Sequence, residues 1–116
     1  MAVLEVQPLP DLPSAAAAVF HLEYLPRAAA LLDTSPKGEN MVLIFLPADH
    51  THRGWRLAAV QGLAREFAPR RVNAIASDNA AAIGAALTYL NAACGVTGQY
   101  LQLDDAGASP VVLPPI

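Results

Sequence analysis

The sequence predicts an α/β protein in three layers: a mostly parallel sheet of about four strands with helices on both faces. Three observations predict it. Met41–Leu46 is an unbroken apolar run, and Val72, Ala74, Ile75 and Ala76 form another; neither shows the alternation of a half-exposed strand, so both suit a sheet covered on two sides. Between and after them apolar residues recur at helical spacing, first Leu57, Val60, Ala64 and Phe67, then Ile83, Leu87, Leu90 and Cys94. The resulting order is strand, helix, strand, helix, strand, helix, strand. Right-handed crossovers turn that order into a parallel sheet with helices on its faces. With 116 residues, the chain is one domain spanning 1–116.

Ala2–Val6 opens the chain as a short strand. Gln7–Pro13 carries three prolines and reads as an extended connector. Ser14 is placed to cap a long helix running to about Asp33, with Val19, Phe20, Leu22, Leu25, Leu31 and Leu32 among many alanines. Pro26 lies inside that helix and is expected to kink it or to remove one hydrogen bond. Thr34–Asn40 is a turn with Pro36 and Gly38. Pro47 ends the strand Met41–Leu46. The next helix starts near His52 or Arg53 and stops at Pro69. Its face of Leu57, Val60, Leu63, Ala64 and Phe67 is fit to lie on the sheet. Ala58 and Gly62, flanked by Trp55, make a second and smoother face, so this helix is expected to be covered on two sides. After the strand Arg71–Ala76, Ser77 or Asp78 can cap a helix to about Cys94, stopped by Gly95. Gln99–Leu103 is the last strand, and Asp104–Gly107 a turn. The tail Ser109–Ile116, with three prolines and an apolar finish, is expected either to be a flexible end or to dock on a neighbour.

Composition excludes several function classes. Hydrophobic residues make up 54% and charged residues 15%, which is the balance of a core-rich chain, not a disordered one. Much of the apolar content is alanine, so the helices should pack closely, and some exposed apolar surface is expected to meet a partner. Net charge is −3 with seven basic residues in no large cluster, which excludes nucleic acid as a partner. Arg70–Arg71 reads as a solvated turn. Cys94 is the single cysteine; it fits a reducing compartment and reads as a small core residue. No run is long enough to span a membrane and no signal peptide is evident, so the expected location is the cytoplasm, with no membrane partner.

Two stretches carry a family resemblance. Leu63–Ala76, L-A-R-E-F-A-P-R-R-V-N-A-I-A, and Gly95–Gly107, G-V-T-G-Q-Y-L-Q-L-D-D-A-G, resemble the short-chain dehydrogenase/reductase family, particularly its beta-ketoacyl carrier-protein reductases. There a similar L-A-x-E-x-A-P closes the catalytic helix, R-V-N-x-I-x-P-G forms the sixth strand, and T-G-Q-x-L-x-V-D-G-G the last. The resemblance implies a partial Rossmann-like fold, in which the first strand of this chain corresponds to the family's fourth and Met41–Leu46 to its fifth. It also implies that the first long helix and the Ala58/Gly62 face are the family's dimerising surfaces. The candidate interface is therefore Phe20, Tyr24, Trp55, Ala58 and Gly62.

The chemistry the family would bring is not written in this sequence. A dinucleotide site needs a glycine-rich turn where the backbone meets the pyrophosphate; no G-x-G-x-x-G is present and the first glycine is Gly38. The family's acid–base pair is a tyrosine and a lysine four residues on, with a serine before them. Counting back from Glu66, those positions fall on Asp49 and Arg53. Arginine cannot relay a proton, aspartate is far too acidic to replace tyrosine, and no serine lies between Ser35 and Ser77. The substrate-covering segment is also short, since Ala76 runs straight into Ser77–Asp78. No cofactor is expected.

Asp49–His52 is the polar cluster that could carry a replacement chemistry. It follows the central strand, where open parallel sheets bind ligands, and His50 and His52 with Asp49 are weak candidate metal ligands. The plainer reading is a helix start with Asp49 or Thr51 as cap and the histidines in solvent. Taken together, the expectation is a non-catalytic subunit of reductase-like fold that forms a homo-oligomer, or a hetero-oligomer with a complete short-chain dehydrogenase such as a ketoacyl reductase of fatty-acid or polyketide biosynthesis. The rival is a small oxidoreductase or acyl/carbonyl-processing enzyme with its site relocated to Asp49–Arg53.

Overall fold

Four strands lie parallel in the order in which the chain makes them. The computed structural model describes residues 1–104 and 107–108, with side chains through residue 103. Strand β1 is Ala2–Glu5, β2 Met41–Phe45, β3 Val72–Ala76 and β4 Tyr100–Asp104. Ala2 pairs with Met41, Met41 with Val72, and Ala74 with Tyr100, all in parallel register. A short fifth strand, β5 (Gly107–Ala108), returns antiparallel against β4. The turn expected at Asp104–Gly107 thus has Asp104 and Gly107 in paired strands, while residues 105–106 and the tail 109–116 lie outside the described residues.

The helices are α1 (Pro13–Val19), α2 (Leu25–Thr34), α3 (Arg53–Glu66) and α4 (Ala80–Ala92). Side chains alternate across a strand, and the two sets here enter two cores. Met41, Leu43, Phe45, Val72, Ala74 and Ala76 face α1, α2 and α3, where Phe20, Leu32, Val60 and Leu63 complete the larger core. Val42, Ile44 and Ile75 face the other way, onto Ala86 and Leu90 of α4. Helices therefore cover both faces, as the sequence predicts. Coverage is unequal: α4 lies over β3, β4 and β5, and Val3 on β1 stays 40% exposed. β1 pairs only with β2 among the described residues, so its outer edge is open.

The first helix departs most from expectation. It is two helices joined by a turn of π-helix, Phe20–Tyr24, in which Leu25 N–H bonds to Phe20 O. Pro26 is the cause: it has no N–H to give to the carbonyl of Leu22, and its ring would strike that carbonyl in a regular turn. The wider π turn makes room. Ser14 does not cap it either; Leu12 holds the N-cap position and Pro13 the first helical one.

The last helix starts and stops within a few residues of expectation. Asn79, not Ser77 or Asp78, caps α4 by accepting from Ala82 N–H, while Ser77 is buried and its hydroxyl accepts from Asn79 N–H. The helix ends at Ala92, so Cys94 falls beyond its apolar stripe and is exposed, not a core residue. Gly95 does not adopt the left-handed C-cap conformation; the capping is done by an arginine described below.

Candidate functional site

The C-terminal ends of parallel strands are where an open α/β sheet places its ligands. Here that end is built from the turn after β2, a single 3-10 turn at His50–His52, and the start of α3. Asp49 caps it. Its Oδ1 accepts from the backbone N–H of Thr51 at 2.9 Å and from the Thr51 hydroxyl. The Thr51 hydroxyl, then its N–H, hold the carboxyl below its ordinary value. Asp49 is thus a cap on the surface, as one of the two sequence readings has it.

His52 is neither solvated nor free to bind metal. It is buried; Nε2 lies 2.9 Å from Asp11 O, and Nδ1 lies 3.0 Å from the indole nitrogen of Trp55. An indole N–H only donates, so Nδ1 accepts and the ring proton sits on Nε2, donating to Asp11. Both nitrogens are used in fastening the proline-rich connector to α3. His50 and Arg53 are exposed. Among the described residues no group of three metal-ligating side chains exists.

Sequence periodicity missed the residue at the centre of this region. Arg56 is 4% exposed, on the face of α3 that turns inward with Ala59, Val60 and Leu63. The expected face was displaced by about one residue, leaving Leu57, Ala64 and Phe67 only half-buried. Arg56 Nη1 donates to Leu46 O at 2.9 Å and to Tyr100 Oη at 3.0 Å. Its guanidinium lies over the Phe45 ring, 4.5 Å from the centroid, with Trp55 and Tyr100 close by. A single arginine in a helix otherwise carrying surface arginines gives no sequence signal; only the packed aromatics reveal it.

The five candidate interface residues separate. Phe20 and Tyr24 are corrected: they are 0% and 6% exposed, stacked on one another, and Phe20 packs against Phe45 of the sheet. Tyr24 Oη also accepts from Gln7 N–H. Trp55 is half-buried against Phe20 and Phe45. Ala58 is exposed, Gly62 half-buried, and a Cβ on Gly62 would meet nothing within 4 Å. Among the described residues nothing covers the second face of α3.

The two stretches that carry the family resemblance hold each other. Asn73, buried in β3, donates to Val96 O and accepts from Gln99 N–H. Thr97 Oγ1 accepts from Val72 N–H, and Gly98 N–H bonds to Val72 O with Gly98 at φ 72°, where a side chain would be strained. Arg71 donates to Leu90 O and Ala93 O at 2.8 Å each, capping α4, and Arg70 donates to Leu32 O in the last turn of α2. The pair read as a solvated turn is instead two helix caps.

A parallel sheet with helices on both faces, and motifs that tie its last strands together, define a Rossmann-like domain. The family model of short chain dehydrogenase-like proteins matches residues 4–103, and the chain belongs to that family. No curated protein and no solved structure matches it. No helix among the described residues is long and apolar enough to cross a membrane.

Proposed function

We propose that the chain is a non-catalytic short chain dehydrogenase-like subunit that acts by assembling with other chains of that kind, a second copy of itself or a complete relative. What supports this reading is the pair of residues that the resemblance sets at the family's proton-transfer positions, Asp49 and Arg53. Asp49 is a helix cap bound to Thr51, Arg53 is a surface cation, and neither can exchange a proton with a carbonyl near neutral pH. The exposed Ala58 and open Gly62 on α3 support assembly, because small side chains let a second helix approach closely. By resemblance, the reading extends to a ketoacyl reductase of fatty-acid or polyketide type as the complete relative. The rival enzyme at Asp49–Arg53 would require Asp49 to leave its cap, and His52 has no free nitrogen to offer.

Sedimentation velocity on the purified chain tests the proposal. The expected species is a dimer or larger, and Ala58→Arg is expected to leave a monomer with unchanged far-ultraviolet circular dichroism. Calorimetric titration with the reduced nicotinamide dinucleotides is expected to show no binding. A wild-type monomer across the working concentration range, or low-micromolar dinucleotide binding, overturns it.

A further inference from the structure

We infer that His52 is a pH-sensitive latch: neutral, it ties the connector between β1 and α1 to α3, and protonated, it releases Trp55. His52 is 7% exposed, and a neutral imidazole has one proton to give and one lone pair to offer. Both are spent. Nε2–H donates to Asp11 O, from a residue 41 positions away, and Nδ1 accepts from the Trp55 indole N–H. An indole nitrogen never accepts. A second proton on the ring has one place to go, Nδ1, where two N–H groups would face each other at 3.0 Å. Protonation thus turns one bond into a repulsion and leaves the other intact, because the Asp11 carbonyl accepts from either form of the ring.

Trp55 is the partner with room to leave. Its ring is half-buried, whereas the imidazole is enclosed. The π turn and β2 bring rings to the indole and not charges: Phe20 and Phe45 lie 5.5 and 5.7 Å away, centroid to centroid. The charges that bear on His52 come from the connector, the turn before it and α3. Asp11 and Asp49 line the same cavity as His52, and both favour the imidazolium. Arg56 lines that cavity too and opposes it; its own Nε is buried without a partner. His50 and Arg53 are exposed, where water screens them. Two carboxylates against one buried guanidinium give the imidazolium counter-charge within the folded chain. Acid then frees the indole at the start of α3 while the connector stays attached to His52.

Nitrogen–proton spectra of the full chain from about pH 8 to about pH 5, the range in which histidine is the switching side chain, test this. The readouts are the indole N–H of the single tryptophan and the His52 ring. Both are expected to move in one single-proton transition with a shared midpoint, and the indole N–H to exchange faster with water on the acid side. Far-ultraviolet circular dichroism is expected to stay constant through that transition. His52→Gln offers a donor and an acceptor without a titrating proton, and is expected to hold the indole resonance at its high-pH position throughout; should it fail to fold, the shared midpoint in the wild type decides alone. His21→Ala and His50→Ala are expected to leave the transition in place. Ala58→Arg is expected to leave it in place as well, so the latch and the assembly proposal can each fail without the other. An indole resonance that stays fixed, that moves apart from the His52 ring, that moves only as helix is lost, or that still titrates in a folded His52→Gln overturns the inference.

Discussion

Thr51 gives Asp49 two hydrogen bonds, and both favour the charged carboxylate. The folded pKa therefore lies below the unfolded one. The cap's contribution is complete above the unfolded value and is lost as pH falls through the folded value. Thr51→Val removes the larger of the two bonds, so the Asp49 carboxyl titration, followed by carbon NMR, is expected to move up toward the ordinary carboxylate value. The neighbouring histidines divide by burial. His52→Ala leaves Asp11 O and the Trp55 N–H unpaired and is expected to cost about 1–3 kcal/mol in urea unfolding. His50→Ala, on the surface, is expected to stay within about 0.5 kcal/mol. Equal losses from the two would contradict the strut role of His52. At this scale the sequence was half legible. Asp49 as a cap follows from its place before a helix; the burial of His52 and Arg56 does not, because their partners come from residues 41 and 44 positions away.

Elements are held at their ends more than their residue patterns suggest. The last turn of α4 has orphan carbonyls, and Arg71 supplies the donors that Gly95 was expected to make unnecessary. Arg71→Met is expected to destabilise by about 1.5–3 kcal/mol, the range for hydrogen bonds to a charged group, with the loss read by denaturant unfolding. On α3, Gly62 interrupts a helix for no reason visible among the described residues, none of which stands where its Cβ would go. For an isolated chain Gly62→Ala should therefore stabilise by about 0.5–1 kcal/mol. A mutant that dissociates at higher concentration than wild type would place a second helix against that glycine. The π turn shows the opposite relation between sequence and element. Pro26 announces an irregularity, and its chemistry determines which kind, yet its effect on Phe20 and Tyr24 is visible only once the helix is laid on the sheet.

For the whole molecule, one side of the sheet is well covered and the other only in part. Val3 is exposed beyond the reach of α4, and the outer edge of β1 is unpaired among the described residues. Open edges and apolar faces associate unless something blunts them. Assembly that stabilises the folded chain makes its melting temperature depend on concentration. Raising the protein concentration tenfold is expected to raise the melting temperature of the wild type and to leave that of Ala58→Arg unchanged, as followed by circular dichroism.

The three-layer class and the four parallel strands alternating with helices were present in the sequence; the order of the strands within the sheet was read from the structure. Apolar runs and helical periodicity are local properties, and connections between such elements obey few rules. Tertiary structure alone decided which face of α3 turns inward, that Phe20 and Tyr24 belong to the core, and that Arg56 stands buried with an empty edge. Those facts depend on what lies opposite each side chain, and periodicity records only the spacing along a helix, not what faces it.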